Sequence, residues 1–139
     1  MKSIFKSILL AVVCLIMTSC GGVDQTNPRS VADEAIRCYA ENTSNKSLFY
    51  FQDENAEKQY DELMKWADEM KAEHPERVKE TESAADYEFQ GFTDEFGRQA
   101  DETTSDFLNY KYRSEKRGRI VTIKLKQVDG KWYLDEWPQ

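Results

Sequence analysis

Apolar residues recur along this chain with three different spacings, and each spacing predicts a different kind of element. Residues 8–17 form an unbroken apolar run of ten. Val31, Ala32, Ala35, Ile36 and Tyr39 then share one helical face. Asn27 and Pro28 open that helix well, the first as a cap and the second at a position where a missing N–H costs nothing. Asn42, Thr43, Ser44 and Asn45 break the pattern, so the helix should end near Glu41. Leu48, Phe49, Tyr50 and Phe51 are dense enough to predict one turn of helix that plugs an end of the core. A longer helix is predicted from about Glu54 to His74, because Ala56, Tyr60, Leu63, Met64, Ala67 and Met70 keep the helical rhythm. Pro75 disfavours helix at the residue before it and sets the stop.

Beyond Pro75 the period shortens to two. Tyr87 and Phe89 alternate in a first strand that Gly91 can bend, and residues 94–97 read as a turn. Leu108, Tyr110 and Tyr112 alternate in a second strand, followed by a turn at 116–118. Val121, Ile123 and Leu125 alternate in a third, Asp129-Gly130 is a two-residue hairpin signal, and Trp132 and Leu134 carry the last strand. Two or three helices followed by a meander of about four strands predict an α+β domain. One polar face and one face covered by helices account for the alternation in such an antiparallel sheet. Residues 29–139 are expected to form this single domain.

The apolar run at the N-terminus belongs to something else. Lys2 and Lys6 precede it and Thr18-Ser19-Cys20 closes it, which is the layout of a secretory signal peptide. A helical membrane span takes roughly 20 apolar residues, and this run is shorter. Met17-Thr18-Ser19-Cys20 resembles the lipobox of bacterial lipoproteins, with Met17 in place of the usual leucine. The alternative is an ordinary signal peptide with an incidental cysteine. The resemblance implies a signal peptide over residues 1–19, cleavage before Cys20 and transfer of a diacylglyceryl group to its sulfur. Residues 20–28 would then be a flexible tether holding the domain off the membrane. Gly21 stands where an aspartate retains some lipoproteins at the inner membrane, which points to the outer membrane of a bacterial envelope.

Cleavage before Cys20 leaves 120 of the 139 residues, enough for one domain with a core. Loss of Lys2 and Lys6 leaves 17 basic against 26 acidic side chains, a net charge of −9. That balance argues against nucleic acid and against electrostatic adhesion to anionic lipid. The charge is unevenly spread: residues 53–106 carry 18 acidic and 6 basic side chains, and residues 111–131 carry 8 basic and 2 acidic. Either acidic helices and a basic sheet attract one another, or the basic patch recruits an anionic ligand. With Cys20 lipidated, Cys38 is the one thiol left, so no disulfide can staple the mature domain.

Pro28, Val31 and Ala35 near the start of the first helix, and Lys126-Gln127-Val128-Asp129-Gly130-Lys131-Trp132-Tyr133-Leu134 at the closing hairpin, resemble the small lipoproteins of domain-of-unknown-function family 4878. The chain departs from that pattern in the acidic stretch 93–106 and the aromatic segment 48–51. The resemblance covers nearly all of the mature chain. It implies a cystatin-like, nuclear-transport-factor-like fold, in which a strongly curved sheet wraps a helix and leaves a conical pocket. It supplies no catalytic residues and no cofactor.

Candidate chemistry is sparse. The chain has no Gly-x-Ser-x-Gly, no phosphate-cradling glycine loop and no paired-cysteine motif. His74, the single histidine, suits a helix C-terminus better than catalysis, although it is the one histidine general base available. Cys38 beside the first helix's apolar stripe reads as a small hydrophobe rather than a reactive thiol. Asp94, Glu95, Asp101 and Glu102 could gather around calcium, but their spacing lacks the alternation of an EF-hand loop. No metal is assigned. The aromatic residues are richest. Tyr87, Phe89, Tyr110 and Trp132 are either core or the lining of an apolar pocket, and Asp106 and Asp135 are the carboxylates closest to a pocket-enzyme role. Three functions follow: a non-enzymatic module binding a small apolar or amphipathic ligand or an envelope protein, a structural lipoprotein with a filled pocket, and an isomerase- or dehydratase-type enzyme. The aromatic sheet also leaves a dimer open.

Overall fold

The computed structural model describes residues 23–138. The expected signal peptide, Cys20 and the first part of the expected tether therefore lie outside the described residues. The domain is α+β, with two α-helices, three short 3-10 turns and one four-stranded antiparallel sheet in the order β1-β2-β3-β4.

Helix α1 spans Pro28–Glu41. The side chain of Asn27 accepts from the Arg29 amide, and Asn42 ends the helix in the left-handed conformation at φ 57°. Asparagine tolerates that region better than most side chains. Val31, Ala32, Ala35, Ile36, Cys38, Tyr39 and Ala40 are buried. The small alanines let α1 lie close against β2, β3 and β4. The helical turn expected at 48–51 sits instead at Lys46–Leu48, capped by Asn45. Only Leu48 plugs the core, and Phe49 is already extended.

Helix α2 spans Glu54–Glu73, opened by Asp53, whose carboxylate accepts from the Ala56 amide at 2.8 Å. Its apolar stripe lies where the sequence put it, yet none of its residues is buried. Leu63 and Trp66 keep 54 % and 57 % of their surface in solvent. The helix is held by its edges: Tyr60 packs on Phe49 and Phe51 and bonds Ser44 at 2.6 Å, while Lys71 donates to the Asn42 carbonyl at 3.1 Å.

Strands β1 (Glu88–Thr93), β2 (Phe107–Ser114), β3 (Arg119–Val128) and β4 (Lys131–Glu136) form the meander. Leu108, Tyr110, Tyr112, Val121, Ile123, Leu125, Trp132 and Leu134 point into the core. Gly91, at φ +137°, allows a bulge that leaves Gln90 without a partner in β2. Without that extra residue Phe89 and Phe92 would face opposite sides of the sheet. With it both reach the Tyr110 ring, at centroid distances of 5.7 and 5.2 Å. Asp129 and Gly130 both take positive φ, 51° and 78°, as a tight type I′ hairpin requires.

Candidate functional site: an apolar groove between the helices

The sheet face expected to line a pocket is filled. Tyr87, Tyr110 and Trp132 are buried beneath α1, and Phe89 lies under the Arg29 guanidinium at 3.7 Å from the ring centre. The phenols are also engaged: Tyr110 donates to Glu102 at 2.9 Å, Tyr112 to Asp33 at 2.6 Å and Tyr87 to Glu82. Burial first, and then these carboxylates, push all three phenols above their ordinary range. Alternation identified the inward residues correctly, but it carries no information on whether α1 stands off the sheet or rests on it. The alanines of α1 decide that, because small side chains let the helix come down.

The open apolar space lies elsewhere, between the C-terminal end of α1 and the stripe of α2. Tyr60, Leu63, Met64 and Ala67 of α2 form one wall of a groove of about 510 Å³. Cys38, Tyr39, Asn42, Thr43 and Ser44 form the other. Phe49 and Trp137 close one end, stacked at 6.1 Å with their planes 21° apart. Lys71 and Lys79 also border it. The groove exists because α2 is amphipathic but docks only through its edges, so its apolar stripe faces space instead of the sheet. A hollow of about 760 Å³ at the start of α2 is larger, but Asp53, Glu54, Asn55, Glu57, Lys58 and Asp61 line it. It is a shallow depression on one charged helix, where Lys46 already pairs with Glu57 and Asp61 at 2.9 Å each.

Lys79 is the better buried of the two groove lysines. Its ammonium sits 4.9 Å over the Tyr39 ring, 3.4 Å from the Ala40 carbonyl and 3.8 Å from Glu82. Burial draws its pKa below the usual lysine range, Arg119 and Arg117 add to that, and Glu82 and Glu80 oppose it. Cys38 is fully buried, and loss of solvent pushes its thiol up to about 11. A protonated, covered thiol is a poor nucleophile, so Cys38 serves as groove wall and core.

A second polar cluster had no signal in the sequence. Glu82, 5 % exposed, accepts from Tyr87 and from Arg119 at 2.6 Å. Arg117 lies 3.6 Å away through Nε, an atom with no hydrogen-bond partner of its own. Arg119 also donates to the Tyr39 hydroxyl at 3.0 Å, and the Glu82 amide donates to the Ala40 carbonyl at 2.8 Å. Glu82 thus ties the segment before β1 to α1 through its amide, and to Arg117 and Arg119 at the β2–β3 turn through its carboxylate.

The remaining candidates are accounted for one by one. Asp106 and Asp135 are exposed rather than in a cavity. His74 follows α2 and pairs with Glu76 at 3.3 Å. Asp94 accepts from the Phe96 and Arg98 amides at 2.8 Å each, Asp101 accepts from the Thr103 amide at 2.8 Å, and Glu102 holds Tyr110. These carboxylates stabilise turns individually, and among the described residues no group of three metal-ligating side chains comes together. Comparison with family models, with curated proteins and with solved structures finds no match.

Proposed function

We propose that this chain is a bacterial envelope lipoprotein, anchored through lipid on Cys20, whose domain binds a small amphipathic molecule in the groove between α1 and α2 without catalysing a reaction. The observation behind the binding role is the groove itself. Its volume of about 510 Å³ falls in the range of small-molecule sites, roughly 300–1,000 Å³, and apolar side chains with a few polar tips line it, as is usual for such sites. The helix order, with α1 under a four-stranded meander, supports the cystatin-like arrangement that the sequence resembles. In this chain the site would lie beside the sheet rather than within its fold.

Binding of the neutral dye N-phenylnaphthylamine tests the groove. The wild-type domain should enhance its fluorescence saturably, and Leu63→Asp should weaken binding by about tenfold or more, since one charge would then sit in the apolar wall. Leu63 is more than half exposed, so the variant should keep its fold and its circular dichroism. The filled sheet face favours one rival, a structural lipoprotein without a ligand. Dye binding that is absent, or equal in both proteins, would select it.

The anchor rests on Lys2, Lys6, the apolar run and Met17-Thr18-Ser19-Cys20. No helix among the described residues is long and apolar enough to cross a membrane. Protein extracted from its own envelope should have the mass of a chain beginning at Cys20 plus a diacylglyceryl group, often with a third acyl chain. Two or more chains are what stable attachment requires. A chain that retains residues 1–19, or carries no lipid, overturns the anchor.

A further inference from the structure

We infer that the molecule held in the groove is a long-chain fatty acid, with its carboxylate at Lys71 and Lys79 and its hydrocarbon tail running towards Phe49 and Trp137. This rests on the binding role proposed above and adds the ligand class.

The sorting of charge at the groove favours an anion. The chain carries 26 acidic side chains against 19 basic, and α2 alone carries seven acidic residues. Yet no aspartate or glutamate lines the groove, whereas Lys71 and Lys79 both do. Helix α2 achieves this by rotation. Its inner stripe is Tyr60, Leu63, Met64, Ala67 and Lys71, and Asp61, Glu62, Asp68 and Glu69 fall outside it. Both ammonium groups sit at the C-terminal end of α1: Lys71 donates to the Asn42 carbonyl at 3.1 Å, and the Lys79 ammonium lies 3.4 Å from the Ala40 carbonyl and 3.3 Å from its neighbour Glu80's carbonyl. Each lysine has three donors. Lys71 is exposed and spends one bond on Asn42, which leaves N–H groups for an incoming oxygen.

Away from this cationic end the lining turns to hydrocarbon and rings. Leu63, Met64 and Ala67 offer a wall without hydrogen-bond donors, and the stacked pair Phe49 and Trp137 closes the apolar end. Tyr60, which packs on Phe49, stands eleven positions before Lys71 on α2, about 16 Å along the helix axis. The apolar and charged ends are thus well separated and suit one charged head on one flexible chain. A neutral flat aromatic ligand would leave the lysines unused.

The test is competition against bound N-phenylnaphthylamine by myristate and by the matching uncharged alcohol. In the wild type the carboxylate should displace the dye about tenfold more effectively than the alcohol, the size expected for a charged hydrogen bond. Lys71→Met should remove most of that advantage, read within each protein as the ratio of acid to alcohol displacement. Lys79→Met should act in the same direction. Lys71 is the cleaner probe, because Lys79 also contacts the Glu82 cluster. Equal displacement by acid and alcohol in the wild type, or an advantage that survives both substitutions, overturns the fatty-acid assignment and leaves the groove as a neutral-ligand site. Tight dye binding that neither competitor displaces overturns the single-chain ligand. Failure of the dye to bind overturns the groove reading beneath it.

Discussion

Glu82→Ala should lower the unfolding free energy by about 2–3 kcal/mol, the loss of hydrogen bonds made to a buried carboxylate. The carboxylate is almost wholly covered, and it is the shared acceptor for Arg119 and Tyr87 with Arg117 and Lys79 nearby. Its removal leaves the buried Tyr87 phenol without its acceptor and takes a partner from Arg119 and Arg117, whose side chains keep 35 % and 20 % of their surface in solvent. The damage should also spread along the chain, because the same residue's amide bonds the last turn of α1. Glu82→Gln separates charge from shape: it keeps the volume and one acceptor, so a loss close to that of the alanine variant would show that the charge dominates. Urea unfolding read by circular dichroism gives the number, with the midpoint shifting and the slope unchanged. A loss under about 1 kcal/mol would mean that the arginines simply turn out to solvent, and that the cluster is a surface ion pair. Arg119→Ala with Glu82→Ala should cost much less than the sum of the two, since the second change removes a group already orphaned.

That cluster shows where sequence reading stops. Helix α1, strands β2, β3 and β4 and the Asp129-Gly130 hairpin were legible because each is specified by residues within a few positions of one another. Caps, periodicity and turn chemistry are local signals. Glu82 and Arg119 are 37 residues apart, and neither stands in a pattern that names the other. The same limit applies to α2. Its period of 3.6 fixes which face is apolar, but not what covers that face, so the sequence placed it on the core and the structure leaves its stripe lining a groove. Phe89 and Phe92 add a third case. Strict alternation separates them, and only the bulge at Gly91 brings both onto Tyr110. Of the candidate pocket residues, Tyr87, Tyr110 and Trp132 are core and Phe89 packs against it, because burial and accessibility share one sequence signature.

The contrast between two tryptophans tests this division of the molecule directly. Trp132→Ala should cost about 3–5 kcal/mol, as large-to-small changes at fully enclosed aromatic positions do. Its ring is 1 % exposed, and its backbone closes the N-terminal segment onto β4 through a 2.7 Å bond to the Gln25 carbonyl. Gln25 in turn reaches the Ser47 carbonyl at 2.6 Å. The cavity would therefore open beneath β4, where the chain before α1 and the Lys46–Leu48 turn both meet that strand. Trp132→Phe should recover part of the loss by filling part of the space. Trp66→Ala should cost about 1 kcal/mol or less, because that ring is 57 % exposed on a helix with no buried residue. Equilibrium unfolding of the three variants under one set of conditions gives the comparison. A penalty at Trp66 as large as that at Trp132 would mean that α2 closes onto the core in solution. The groove would then be absent, and with it the site on which the binding role depends. A small penalty at Trp66 beside a large one at Trp132 means that α2 stays off the core and the groove stays accessible.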